Sequence, residues 1–188
     1  MRPAVFLDRD GTLIEEVGYL DTVDRLSVFP FSVDAVRLLN RARLAVVVVT
    51  NQSGVARGYF DEALVAATHR HLAALLARGG AHIDGFYYCP HHPEARVAAY
   101  RVDCDCRKPR PGLLHRAARE LDVDLSRSFV VGDRAHDIAT GVNAGARGIL
   151  VRTGYGRAHE AEAAPSAAAV TDNLAQAVSW ILRHERRS

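Results

Sequence analysis

The chain has 188 residues, 48% of them hydrophobic, with 24 basic and 22 acidic side chains and a net charge of +2. That length and apolar content suit one domain spanning 1–188 and exclude two full ones. The near-balance of charge gives no nucleic-acid or membrane signal, no apolar run reaches the length of a membrane span, and the N-terminus lacks the regions of a signal peptide, so a cytoplasmic protein is expected.

Ala4 to Leu7 and Ala45 to Val49 are unbroken apolar runs that end at polar Asp8 and Thr50, and both read as buried strands of a parallel sheet. Between them, Ser32 to Arg43 carries Val33, Val36 and Leu39 at helical spacing, with Ser32 as the expected N-cap. A helix from Asp61 to about Arg78, closed by Gly79-Gly80, precedes a strand from Ile83 to Tyr88. A helix after Pro111 to about Leu121, a strand from Ser128 to Val131, a helix from about His136 and a strand from Gly148 to Val151 continue the alternation. Residues 157–169, rich in Ala and Glu, fit either a surface helix or a loop. Leu174, Val178 and Ile181 mark a C-terminal helix over about 171–183. The expected fold is therefore a three-layer, Rossmann-like α/β domain with a mainly parallel sheet and no large cap domain. Ligands in such folds bind outside the carboxyl ends of the strands.

Those strand ends carry the chemistry. After the first stands Asp8-Arg9-Asp10-Gly11-Thr12, two carboxylates at i and i+2. Asp8 suits a carboxylate nucleophile, and Asp10 an acid that protonates a leaving oxygen and then deprotonates water; a solvated turn is the competing reading. The second ends in Thr50-Asn51-Gln52-Ser53-Gly54, hydroxyl and amide donors suited to phosphate oxygens. After the fourth, Gly132 to Asp137 adds Asp133 and Asp137 at i and i+4. With Asp8 they form a donor set for a hard cation, most simply Mg²⁺, although Asp137 also suits the first turn of a helix.

All three cysteines and the only lysine fall between Cys89 and Lys108. Cys89, His91, Cys104 and Cys106 make a C-x-H…C-x-C set of soft ligands, with His92 as an adjacent competitor for the nitrogen position. An odd number of clustered cysteines beside histidine favours metal over disulfide. In a chain that otherwise uses arginine throughout, keeping lysine at 108 fits a site with room for a point charge but not for a planar fork.

Asp8 to Thr12, Thr50-Asn51, Lys108 and Gly132-Asp133 together resemble the four motifs of the haloacid dehalogenase-like phosphohydrolases. The resemblance implies an aspartyl phosphate on Asp8, acid and base roles for Asp10, and stabilisation of the phosphoryl group by Thr50 and Lys108. Mg²⁺ would be held by Asp8, the main-chain carbonyl of Asp10 and Asp133, with Asp137 behind them. Cys89 to Pro93 and Cys104 to Pro109 resemble the zinc loop of the D-glycero-D-manno-heptose 1,7-bisphosphate 7-phosphatases, and the similarity runs from Val5 to Arg152 through Gly18-Tyr19, TNQSGVARG and LVRTG. This implies a structural zinc on Cys89, His91, Cys104 and Cys106 in a loop over 89–106. It also implies an enzyme acting on a small sugar bisphosphate, with Glu16, Tyr19, Asn51, Arg57, Arg107 and Arg134 as substrate contacts; Arg57 and Arg107 would meet the uncleaved phosphate, and Arg134 stands where the family often has lysine. The lack of a sizeable cap domain and of an obvious interface stripe leads to the expectation of a monomer. Histidinol-phosphate phosphatase is the alternative enzyme. A non-catalytic, zinc-stabilised binding module with Arg107 to Arg110 as its contact patch is the alternative from another class.

Overall fold

The computed structural model describes residues 1–185. Six strands form one sheet, all parallel: β1 (Ala4–Leu7), β2 (Ala45–Asn51), β3 (Gly85–Cys89), β4 (Phe129–Gly132), β5 (Arg147–Val151) and β6 (Ala169–Thr171), in the order β3-β2-β1-β4-β5-β6. The helices are α1 (Ser32–Arg41), α2 (Ser53–Arg57), α3 (Glu62–Arg78), α4 (Gly112–Leu121), α5 (Ala135–Asn143), α6 (Gly156–Ala163) and α7 (Leu174–His184).

Alternate residues of each central strand serve opposite faces. Val5, Leu7, Val46, Val48, Phe129 and Val131 pack with α1, α3 and α7, whereas Ala4, Phe6, Val47, Val49 and Val130 pack with α4. The α5 residue Ile138 and the α6 residue Ala163 cover Leu150. Burial on both faces is why β2 reads as a continuous run of valines rather than an alternating pattern.

Two long connections leave the carboxyl side of the sheet, residues 8–31 after β1 and 90–111 after β3. The first is folded back by an antiparallel bridge between Ile14 and Val28. Neither is a large cap. Among the described residues, no helix is long and apolar enough to cross a membrane.

Several sequence expectations shift here. Ser32 does not cap α1: it lies within the first turn, fully buried, and its hydroxyl donates to the Leu13 carbonyl at 2.8 Å. Asp61 does cap α3, accepting from the Leu64 amide at 2.9 Å. Residues 157–169 divide into most of α6, a turn and the first residue of β6. The C-terminal helix starts later than residue 171, because Thr171 ends β6 and Asn173 caps α7 by accepting from the Gln176 amide at 3.1 Å.

Adjacent leucines on α1 provide a test of the packing. Leu39 is fully buried while Leu38 is 46% exposed. Leu39→Ala should lower the unfolding free energy by about 2–5 kcal/mol in urea titrations, and Leu38→Ala should change it by less than about 0.5 kcal/mol. Equal losses would contradict the orientation of α1.

Candidate active site

Because β1 lies between β2 and β4, the ends of these three strands share one crevice. Asp8 follows β1 directly, and its amide donates to the Val131 carbonyl at 2.9 Å. Thr50 and Asn51 close β2, and Asp133 follows β4.

Lys108 reaches this crevice from the connection after β3. It is 3% exposed, with Nζ 2.7 Å from Asp8 Oδ1, 2.6 Å from Asp137 Oδ1 and 3.0 Å from the Val49 carbonyl. Burial opposes its charge, but Asp137 and Asp8 outweigh burial and raise its pKa, so the ammonium persists. Burial likewise opposes the Asp137 carboxylate, but the Lys108 charge, His136 and hydrogen bonds from Lys108 and the Arg134 amide together outweigh it and hold the group below its ordinary range. At Asp8 burial wins despite Lys108, aided by repulsion from Asp137, Asp133 and Asp10, and the carboxyl is pushed well up. Asn51 clamps the peptide at 108 in both directions: its Nδ2 donates to the Lys108 carbonyl at 3.2 Å, and its Oδ1 accepts from the Lys108 amide at 3.1 Å.

Asp133 is fully buried, and burial pushes its carboxyl up to about 7 although the Tyr155 amide donates to Oδ2 at 2.8 Å. Its Oδ1 has no partner. A Cβ on Gly11 or on Gly154 would stand 2.2 Å from Asp133 Oδ2, so only glycine lets both loops close around this carboxylate. Both also have positive φ, +77° and +56°. Oxygens of Asp8, Asp133 and Asp137 lie within 4.8 Å of one another. Three crowded carboxylates facing one ammonium are short of positive charge, and Asp133 Oδ1 lacks a partner; a hard divalent cation fits this donor set. Asp137 also serves the start of α5, as its helix reading expects: its Oδ2 accepts from the Arg134 amide at 3.0 Å.

A cleft of about 270 Å³ opens over these groups. Asp8, Asp10, Thr50 and Lys108 all line it, as do Glu16, Tyr19, Asn51, Arg107 and Arg134. Arg134 lies 3.9 Å over the Tyr155 ring and 3.6 Å from Glu16 Oε2. Arg57 is not among the lining residues. It sits in the last turn of α2, and its Nη2 lies 3.3 Å from His92 Nε2.

The soft ligands also converge. Cys89 Sγ lies 3.6 Å from Cys104 Sγ and 3.8 Å from His91 Nδ1, and Cys106 Sγ lies 3.4 Å from the same nitrogen. Tetrahedral zinc with ordinary bond lengths sets ligand atoms about 3.5–3.8 Å apart, so the spacing suits that ion. His92 faces elsewhere, its Nδ1 against the Glu94 amide at 3.1 Å and its Nε2 against Arg57. Arg107 Nη1 donates to the His91 carbonyl at 3.2 Å, joining the end of the loop to its beginning.

A family model described as HAD-hydrolase-like matches residues 105–177. The D-glycero-beta-D-manno-heptose-1,7-bisphosphate 7-phosphatase of Photorhabdus laumondii is 45% identical over 164 residues, 86% of this chain and 87% of that protein. The protein of that name from Escherichia coli K12 is 44% identical over 85% of this chain and 84% of its own. This chain belongs to the heptose-1,7-bisphosphate 7-phosphatase family of HAD-like hydrolases. A crystal structure of D,D-heptose 1,7-bisphosphate phosphatase from B. bronchiseptica, complexed with magnesium and phosphate, superposes with a TM-score of 0.86 at 36% identity, covering 97% of this chain and 99% of that one.

Within this heptose bisphosphatase fold, Arg9, His136 and Tyr155 also line the cleft, where the sequence alone assigns them no role, as does Gln52, which the sequence offers as a phosphate donor. Arg9 is 2% exposed and forks onto Asp10, with Nε donating to Oδ2 and Nη2 to Oδ1, each at 3.1 Å. Gln52 Nε2 donates to Asp10 Oδ2 at 3.0 Å. Burial, then the Arg9 charge, push the nearby His69 down to about 4, leaving it neutral beside the guanidinium. Arg9, Gln52 and His136 lie inside the quoted motifs, so their positions are visible in the sequence, but their partners come from the fold.

The glycine cradle makes a direct prediction. Gly154→Ala displaces Asp133, and Mg²⁺ affinity measured by isothermal titration calorimetry should fall roughly 10–100-fold. Unchanged affinity would contradict the role of Asp133 as a cation ligand.

Proposed function

We propose that this chain is a Mg²⁺-dependent phosphatase that removes the C7 phosphate of D-glycero-β-D-manno-heptose 1,7-bisphosphate, leaving heptose 1-phosphate. The observation that carries this reading is the joint placement of Asp8, Asp10, Thr50 and Lys108 around one cleft, with buried Asp133 within 4.8 Å of Asp8, in a chain 45% identical to an enzyme of that name. The names of the relatives support the β anomer and favour the heptose substrate over histidinol phosphate. The full set of catalytic side chains argues against a non-catalytic binding module. We read residues 1–188 as one catalytic domain, monomeric and cytoplasmic.

Asp8 attacks phosphorus with a carboxylate oxygen, and the bond from phosphorus to the C7 oxygen breaks as the acyl phosphate forms. Asp10 gives its proton to the departing C7 oxygen, then takes a proton from the water that attacks phosphorus. The bond from phosphorus to the Asp8 oxygen breaks, inorganic phosphate leaves, and Asp8 returns as a carboxylate. Lys108 Nζ and the Thr50 hydroxyl face the oxygens on which charge accumulates during both transfers. Mg²⁺, held by Asp8, the main-chain carbonyl of Asp10 and Asp133, would supply the remaining positive charge. Arg107 and Arg134 are the cleft cations left to meet the phosphate that stays.

Zinc on Cys89, His91, Cys104 and Cys106 has no open position for a substrate in this reading, so it acts by fixing the loop that ends at Lys108.

Asp8→Asn should abolish phosphate release in a continuous phosphate assay while retaining one zinc per chain by elemental analysis; undiminished release would remove Asp8 as nucleophile. Stripping zinc with a strong chelator, then restoring Mg²⁺ in excess, should leave kcat lowered by at least about tenfold until zinc is returned. Full activity without zinc would show that the loop holds its shape unaided.

A further inference from the structure

Gln52 stands beside the general acid and takes no part in the transfers described above. It is 5% exposed, and its amide is pinned to the sheet by donation to the Cys89 carbonyl at 2.8 Å. Its Nε2 carries two hydrogens, and both are engaged: one toward Asp10 Oδ2 at 3.0 Å, the other toward Thr50 Oγ1 at 2.9 Å. A side chain donating twice within the enzyme has no amide hydrogen left for a substrate oxygen. The bond to Thr50 uses a lone pair of that hydroxyl and leaves its proton free to turn into the cleft.

Asp10 is consequently held by three donors, two from Arg9 and one from Gln52. Arg9 alone fixes the plane of the carboxyl group to its own neighbouring residue. Gln52 ties that group to the end of β2, which also carries Thr50. We propose that Gln52 is a positioning residue that sets Asp10 in register with the phosphoryl site, so that its proton meets the leaving oxygen; this rests on the acid and base role assigned to Asp10 above.

The dependence on leaving group separates this role from others. An alkyl oxide must be protonated as it departs, whereas p-nitrophenolate leaves without help, so only alkyl phosphates need a well-placed Asp10 in the first step. Gln52→Met preserves length and removes both donors. On heptose bisphosphate and on glycerol phosphate, kcat should fall roughly 10–100-fold with KM within about threefold of the unmodified enzyme. The p-nitrophenolate burst from p-nitrophenyl phosphate, which reports phosphorylation of Asp8, should stay within about threefold. Gln52→Glu, similar in size but unable to donate twice, should give the same split, and it serves if the methionine variant loses its zinc or its cooperative unfolding. Parallel losses on alkyl and aryl substrates would overturn the proposal, as would a raised KM with kcat unchanged, which would mark a substrate contact. If the unmodified enzyme cleaves glycerol phosphate but ignores heptose bisphosphate, the substrate reading fails, and the alkyl-to-aryl comparison still decides the role of Gln52.

Discussion

One ammonium group, Lys108 Nζ, is shared by two buried carboxylates and a strand carbonyl, and the architecture of the site follows from keeping it there. Asp8 comes from the end of β1 and Asp137 from the first turn of α5, and each lies within 2.7 Å of the same nitrogen. Buried charge is tolerated only when paired and hydrogen-bonded, and removing one member of such a pair costs about 3–5 kcal/mol. The shared ammonium allows acidic groups to crowd at the centre of the sheet. It also leaves the cluster short of positive charge, which a divalent cation can supply.

The lysine has to be delivered, because no strand ends where it stands. It follows a long connection after β3 that contains little regular structure, and a chain of that kind does not hold a side chain to a fraction of an ångström unaided. Two restraints meet at residue 108. The Asn51 amide grips its peptide from both sides, in the manner of one further rung of the sheet. The cluster of Cys89, His91, Cys104 and Cys106 ties the start of the connection to the segment just before the lysine. In the proposed reading, metal in this cluster would influence catalysis through the backbone, and the phosphoryl chemistry would belong to the carboxylates, the lysine and the cation they hold.

Much of this is legible from residue types alone. The strands at the centre of the sheet are buried on both faces, so they must be apolar at every position, and the polar residues that end these runs mark the crevice. The soft-ligand cluster is readable because cysteine is scarce here and confined to one segment. What escapes depends on tertiary partners. The three residues of β6 are too few to carry a periodicity. Ser32 has the chemistry of a cap but spends its hydroxyl on the Leu13 carbonyl. Arg57 lies within a motif facing the cleft, yet the turn of α2 directs it to His92. Asn51 reads as a substrate contact because an amide at a strand end suits phosphate; that the same amide also grips the Lys108 peptide shows only in the fold. Arg9 goes unassigned and Gln52 reads only as a phosphate donor, because the sequence does not show that both converge on Asp10.

The central claim is that the site requires a point charge, rather than any cation, between Asp8 and Asp137. Lys108→Arg keeps the charge and replaces the point by a planar fork in a position that is 3% exposed. Steady-state phosphate release from heptose bisphosphate by this variant should have a kcat on the order of a hundredfold lower, the scale of a misplacement of about 1 Å, with zinc content and fold retained. A variant whose kcat stays within about threefold of the unmodified enzyme would contradict the account, because arginine would then serve where the fold has kept its only lysine.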